Sequence, residues 1–79
     1  MKVEVQLFAT LAAYLPAGAA GDSVTLEMPD ATTVGEVVRV LHIPEGLDCL
    51  SVVNGHDAPS ERHLVAGDVL SLFPPLAGG

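Results

Sequence analysis

The sequence predicts an α+β fold in which one helix packs against one mixed β-sheet. Three observations support this: alternating polar and apolar residues near both ends of the chain, one amphipathic helical stretch between them, and prolines and glycines that separate the elements. The chain has 79 residues, of which 49% are hydrophobic and 4% aromatic. We therefore expect one domain with a single small core built mainly from Val, Leu and Ala.

The first three elements are a strand, a short helix and a second strand. Residues 2–8 alternate polar with apolar side chains, which predicts strand one. Residues 9–15 favour a helix, but Pro16 limits it to one or two turns. Residues 23–28 alternate again and predict strand two, which we expect to pair antiparallel with strand one.

The main helix is predicted to begin at Thr33. The spacing of Thr33 and Glu36 is that of a capping box, in which each side chain bonds the other residue's backbone N–H. Pro44 is expected to end the helix. Apolar residues at helical spacing form one stripe that faces the sheet: Val34, Val37, Val38 and Leu41.

The second half of the chain is predicted to add the remaining strands. Residues 50–53 form strand three, Asn54-Gly55 favours a type I′ turn, and residues 56–58 form a short return strand. Leu64 is expected to lie under the sheet, and the last strand spans residues 68–73. Because the first and last strands are richest in aliphatic residues, we place them parallel and adjacent at the centre.

Charge and composition exclude several classes of function. Ten acidic and three basic residues give a formal charge of −7, so a phosphate backbone would be repelled and nucleic-acid binding is not expected. An acidic chain suits a basic protein partner. Apolar runs fall short of the ~20 residues that a membrane span needs. We expect a cytoplasmic protein.

Candidate metal ligands and nucleophiles have weak support in the sequence. Cys49 is the only cysteine, which excludes an internal disulfide, and we interpret it as a half-buried small apolar residue. Asp57 and Glu61 are interpreted as solvated charges. The histidines match no compact metal motif, so we expect surface side chains and no metal site: His42, His56 and His63.

The sequence after the last strand predicts a presented reactive group. In Phe73-Pro74-Pro75-Leu76-Ala77-Gly78-Gly79, the proline pair stops sheet hydrogen bonding and favours an extended tail. Because glycine lacks a Cβ, Gly78 and Gly79 can pass through a narrow channel of another protein. We expect a domain over residues 1–73, a tail over residues 74–79, and the α-carboxyl group of Gly79 as the reactive group.

The last strand is also predicted to dock a partner. It carries apolar side chains on both faces, and one helix covers only one face of a sheet, so an apolar patch should remain. The alternative is that a central parallel strand is buried on both faces. The residues expected to contact the partner are Val69, Leu72, Phe73, Pro74, Pro75, Leu76 and Ala77.

Three segments resemble the ubiquitin-like β-grasp sulfur carriers of the MoaD/ThiS family. They are the Val53-Asn54-Gly55 turn, the run Leu64-Val65-Ala66-Gly67-Asp68-Val69, and the ending Phe73 to Gly79. The Phe-Pro-Pro ending is most similar to the small subunit of molybdopterin synthase. The resemblance covers essentially the whole chain and implies a β-grasp fold with four or five strands.

The resemblance also implies a carrier function without an internal catalytic site. An E1-like adenylyltransferase of the MoeB/ThiF type would adenylate Gly79 with ATP and Mg²⁺ that the adenylyltransferase binds. A sulfur donor such as a cysteine desulfurase would then leave a thiocarboxylate. A sulfur-accepting enzyme, such as the large subunit of molybdopterin synthase, would take the sulfur for molybdopterin or tungstopterin biosynthesis. The chain itself would bind no cofactor.

Three alternatives stay open at this point. The chain is a ubiquitin-like modifier conjugated to lysines through Gly79, a sulfur carrier for the thiazole of thiamine, or a β-grasp domain that binds partners without covalent chemistry. The first two need activation at Gly79, so the sequence does not separate them from the leading hypothesis.

Overall fold

The structure, a computed structural model, describes residues 1–44 and 49–74. It confirms the α+β prediction, with one α-helix against a mixed sheet of five strands. The elements in chain order are β1 (Lys2–Leu7), a 3₁₀ helix (Ala9–Tyr14), β2 (Ser23–Glu27), α1 (Val34–Val40), β3 (Leu50–Val53), β4 (His56–Asp57) and β5 (Val69–Phe73).

The sheet has the strand order β2-β1-β5-β3-β4. β1 and β5 are parallel neighbours at its centre, as predicted, and the other neighbouring pairs are antiparallel. Because side chains alternate along a strand, one face of this central pair enters the core with α1. The buried residues on that face are Val3, Val5, Leu7, Leu70 and Leu72.

The predicted capping box is present at the start of α1. The Thr33 hydroxyl accepts from the Glu36 N–H at 3.2 Å, and the Thr33 N–H donates to Glu36 Oε1 at 3.1 Å. The hydrogen bonds from the backbone and then the side chain of Thr33 hold the pKa of Glu36 below its ordinary value. The start of this short helix is therefore held by its own side chains.

The helix ends at Val40, so the expectation that it continues to Pro44 was wrong. His42 adopts a left-handed φ of 63°, and the Ile43 N–H donates to the Val38 carbonyl at 3.3 Å. This is the bond of a Schellman motif, which closes a helix before any proline is needed. Ile43, the next residue after His42, lies in the core with 3% of its surface exposed.

The segment that leads to β5 runs along the beginning of α1. Its Ser60 carbonyl accepts from the Gly35 N–H at 2.9 Å, and a Cβ at Gly35 would approach that carbonyl to 3.3 Å. The Leu64 N–H donates to the Thr32 carbonyl at 2.8 Å, and Leu64 is buried as predicted. These contacts fix the point from which β5 starts.

Candidate functional site

The structure separates the residues predicted for docking into two groups. Leu72 is fully buried in the core, so its inclusion in the docking surface was wrong. Val69, Phe73 and Pro74 are half-buried, and the first two lie on the sheet face opposite α1. The other predicted site residues lie outside the described residues: Pro75, Leu76, Ala77, Gly78 and Gly79.

The exposed face of β5 continues into an apolar patch across neighbouring strands. The antiparallel register places Leu50 directly opposite Phe73, so the two side chains lie on the same face. The Phe8 ring stacks on the Phe73 ring with centroids 4.6 Å apart and planes at 4°. Leu50 is 55% exposed. We define the apolar patch as Phe8, Leu50, Val52, Val69 and Phe73.

A polar row borders the apolar patch along β1. The Ser71 hydroxyl donates to Gln6 Oε1 at 3.2 Å, and the Gln6 amide donates to Glu4 Oε2 at 3.2 Å. Glu4 is the acidic residue of this row, and Lys2 lies two residues before it on the same face of β1. An apolar centre with a polar border is the usual anatomy of a protein interface.

A buried carboxylate fixes β5 to the turn between β3 and β4. Asp68 is 5% exposed and accepts from the Asn54 amide and from the Val65 N–H, each at 2.9 Å. The Asn54 side-chain oxygen in turn accepts from the Val69 N–H at 2.9 Å. Asn54 and Gly55 have φ values of 51° and 87°, as the predicted type I′ turn requires. This clamp sets the position of Val69 in the apolar patch.

Sequence reasoning missed four of these residues. Phe8, Leu50 and Val52 join the apolar patch only through strand register and ring stacking, neither of which sequence alternation specifies. Asp68 was placed at the start of the last strand, with no role for its carboxylate. The signal for its role was present, since an Asn-Gly turn and a Gly-Asp turn both flank strands of the same sheet.

The other candidate residues do not converge on a site. The three histidines are exposed, as predicted, and His63 Nδ1 lies 2.9 Å from the Ala31 carbonyl oxygen. Cys49 is half-buried against the core, also as predicted. Within residues 1–44 and 49–74, no group of three or more His, Cys, Asp or Glu residues is placed to hold a metal ion. In the same residues, no helix is long and apolar enough to cross a membrane.

Comparison with known families decides the classification. The ThiS family model matches residues 5–79, which is nearly the whole chain. The chain belongs to the ThiS family. This ThiS-family chain has no match among curated protein sequences.

Solved structures place the ThiS-family chain among ubiquitin-like β-grasp proteins. It is similar to SAMP1 from Haloferax volcanii, with 27% identity, a TM-score of 0.75 and all of both chains covered. It is also similar to molybdopterin converting factor subunit 1 from Pyrococcus furiosus, with 26% identity, a TM-score of 0.73, and 95% of this chain and 98% of that chain covered. The predicted β-grasp fold is thereby confirmed.

A third structure contains a bound partner. It is the complex of subunits 1 and 2 of the molybdopterin-converting factor from Helicobacter pylori, similar at 28% identity with a TM-score of 0.60 and full coverage of both chains. Family and fold together make this chain a ubiquitin-like protein of the ThiS/MoaD carrier or SAMP-like modifier type.

Proposed function

We propose that this chain is a sulfur carrier whose reactive group is the α-carboxyl group of Gly79. The observation that carries the proposal is the match of the ThiS family model through residue 79, which takes in the Gly78-Gly79 pair. A carboxylate is a poor acyl donor because its oxygen does not leave readily. An activating enzyme must therefore join it to AMP, releasing pyrophosphate from ATP, before sulfide displaces AMP and leaves a thiocarboxylate.

The apolar patch supports this role because a carrier must dock onto enzymes that do the chemistry. It lies on the sheet face that α1 leaves open, and Phe73 within it immediately precedes Pro74, the last residue described. The formal charge of −7 and the acidic border at Glu4 suit a basic rim on the partner. We propose that an E1-like adenylyltransferase and a sulfur-accepting enzyme bind this surface one after the other.

Similarity to a molybdopterin converting factor subunit from Pyrococcus furiosus favours a pterin acceptor. The complex from Helicobacter pylori shows such a subunit assembled with a second one. We therefore propose a molybdopterin or tungstopterin type of pathway, with a large synthase subunit as the sulfur-accepting partner.

The test is intact-mass spectrometry after incubation with the E1-like enzyme, ATP, Mg²⁺ and sulfide. The chain should gain the mass difference between sulfur and oxygen, only with ATP present, and a variant without Gly79 should gain nothing. Mass spectrometry of the starting protein also verifies that Gly79 carries the free carboxyl group. A full-length chain that stays unmodified with an active enzyme would refute the proposal.

Docking is tested with a matched pair of lysine substitutions. Leu50 is 55% exposed within the apolar patch and Val65 is 63% exposed outside it. We expect Leu50→Lys to lower kcat/KM for adenylation about tenfold through lost apolar burial and repulsion from a basic rim, with Val65→Lys unchanged. Equal effects of the two substitutions would remove the apolar patch from the docking surface.

A second function is favoured by the likeness to SAMP1, since a related structure from the same species is described as small archaeal modifier protein 1. As a modifier, the activated Gly79 would be attacked by a lysine amine and form an isopeptide bond. This outcome appears as high-mass conjugates in a lysate supplied with ATP, with Gly79 found on lysine after proteolysis.

A further inference from the structure

Strand β2 lies at one edge of the sheet, where part of its backbone faces outward. The Met28 N–H donates to the Met1 carbonyl at 2.8 Å, and the Leu7 N–H donates to the Asp22 carbonyl at 2.9 Å. In an antiparallel ladder these bonded positions recur at every second residue. The backbone groups of Ser23, Thr25 and Glu27 therefore point away from β1.

One of these three positions is already covered by the chain itself. The Ala20 N–H donates to the Ser23 carbonyl at 2.9 Å, and the Ser23 N–H donates to the Ala20 carbonyl at 3.2 Å. Within residues 1–44 and 49–74, no other strand pairs with this edge. The outward N–H and C=O groups of Thr25 and Glu27 are left to bond an added extended chain.

An apolar groove of about 340 Å³ adjoins this open edge. It lies between the inward face of β2, the end of the 3₁₀ helix and the end of α1. Val40 lines it and is 51% exposed, although it is an aliphatic residue at the end of a helix. The groove is also lined by Tyr14, Leu15, Pro16, Leu26 and His42.

Acidic residues surround the edge. Asp22 and Asp30 flank the two ends of β2, and Glu27 and Glu4 lie on the sheet face that α1 leaves open, where Lys2 is the neighbouring cation. A second copy of this chain would bring the same charges together at a formal −7 per chain, which opposes pairing of two β2 edges. A basic partner meets no such repulsion.

We propose that the β2 edge and the adjoining groove bind an extended basic peptide segment of another protein by β-strand addition. The peptide backbone bonds Thr25 and Glu27, and one apolar side chain enters the groove beside Val40. Because side chains alternate along a strand, the residues next to that anchor lie on the other face, beside Thr25 and Glu27 of β2. Lysine or arginine at those positions completes the site.

The peptide requirement is tested by fluorescence anisotropy with a labelled eight-residue peptide that alternates leucine and lysine. A scrambled peptide keeps its charge but loses the alternation, and a third peptide carries N-methyl groups on alternate amides that would donate to β2. We expect both controls to bind at least about tenfold more weakly. Equal binding of all three would reduce the interaction to nonspecific charge attraction and overturn the proposal.

Variants of the full chain locate the site. Val40→Lys places a charge in the groove and should weaken peptide binding about tenfold. Thr25→Pro removes an outward N–H without breaking a bond to β1 and should weaken it about fivefold, whereas Thr25→Val should not. Val65→Lys is the matched control for Val40→Lys. Unchanged binding by Val40→Lys and Thr25→Pro would place the peptide elsewhere and refute the proposal.

Two further measurements distinguish failure of the peptide proposal from failure of the proposed carrier function. Val40→Lys should leave formation of the Gly79 thiocarboxylate unchanged, and Leu50→Lys should leave peptide binding unchanged, because groove and apolar patch lie on opposite faces of the sheet. Sedimentation equilibrium of the free chain should show a monomer. A dimer that Thr25→Pro abolishes would assign the edge to a second copy and overturn the peptide proposal.

Discussion

Removing the Asp68 carboxyl group should destabilise the fold through the clamp at the start of β5. Asp68→Ala leaves the Val65 N–H and one Asn54 amide hydrogen without their acceptor. Loss of the hydrogen bond from the Val65 N–H to the carboxylate should cost about 1.5–2 kcal/mol. Loss of the bond from the Asn54 amide should cost only about 0.5–1 kcal/mol, because Asn54 is exposed and its amide can bond to water instead. We expect the free energy of unfolding to fall by about 2–3 kcal/mol, which lowers Tm by roughly 8–24 °C for a domain of this size.

Urea unfolding followed by circular dichroism measures this change. Asp57→Ala is the matched control, because Asp57 is an exposed aspartate in β4, and it should change the free energy of unfolding by less than about 0.5 kcal/mol. Asp68→Asn keeps one acceptor oxygen and should fall between the wild type and Asp68→Ala. If Asp68→Ala unfolds at the same urea concentration as Asp57→Ala, the clamp does not hold β5 and the reasoning is refuted.

Three further predictions test the core, the helix cap and the apolar patch. Leu72→Ala should lower the free energy of unfolding by about 3 kcal/mol, because it leaves a cavity in the core. Leu50→Ala, at an exposed position, should lower it by less than about 1 kcal/mol. Equal losses would contradict the assignment of Leu72 to the buried face and Leu50 to the open face. The pKa of Glu36 is lowered in the folded protein by its hydrogen bonds with Thr33. These bonds stabilise the fold fully at a pH above the ordinary glutamate pKa, and the stabilisation is lost as the pH falls through the lowered pKa of the folded state. The stability advantage over Glu36→Gln, measured by urea unfolding, should therefore shrink from about pH 7 to about pH 3, and a constant difference would count against the capping role. Phe8→Ala removes the ring stacked on Phe73 and should weaken binding to the activating enzyme about fivefold by calorimetry, a loss that Val65→Ala should not reproduce.

Most of the fold could be predicted because its signals are local. Alternation located β1, β2 and β5, and the Thr33–Glu36 spacing located the start of α1. The end of α1 could not be predicted, because a histidine, rather than a glycine, takes the left-handed position of the Schellman motif. A proline further along was the stronger sequence signal, although His42 closes the helix first.

The candidate site was only half accessible to sequence reasoning. Alternation along β5 placed Val69 and Phe73 on one face and Leu72 on the other, but it does not specify which face the helix covers. Leu50 and Phe8 reach the apolar patch by contacts between residues far apart in the chain, and such contacts depend on register. The peptide groove has no local signal, because three separate elements line it.

The central position of β5 has a mechanical consequence. The backbone of β5 is bonded to β1 on one side and to β3 on the other, so both ladders oppose a pull along the axis of β5 from its Phe73 end. Such a pull loads both ladders in shear, so many bonds must break together rather than one after another. The domain should therefore resist unfolding under a force applied along β5 at this end.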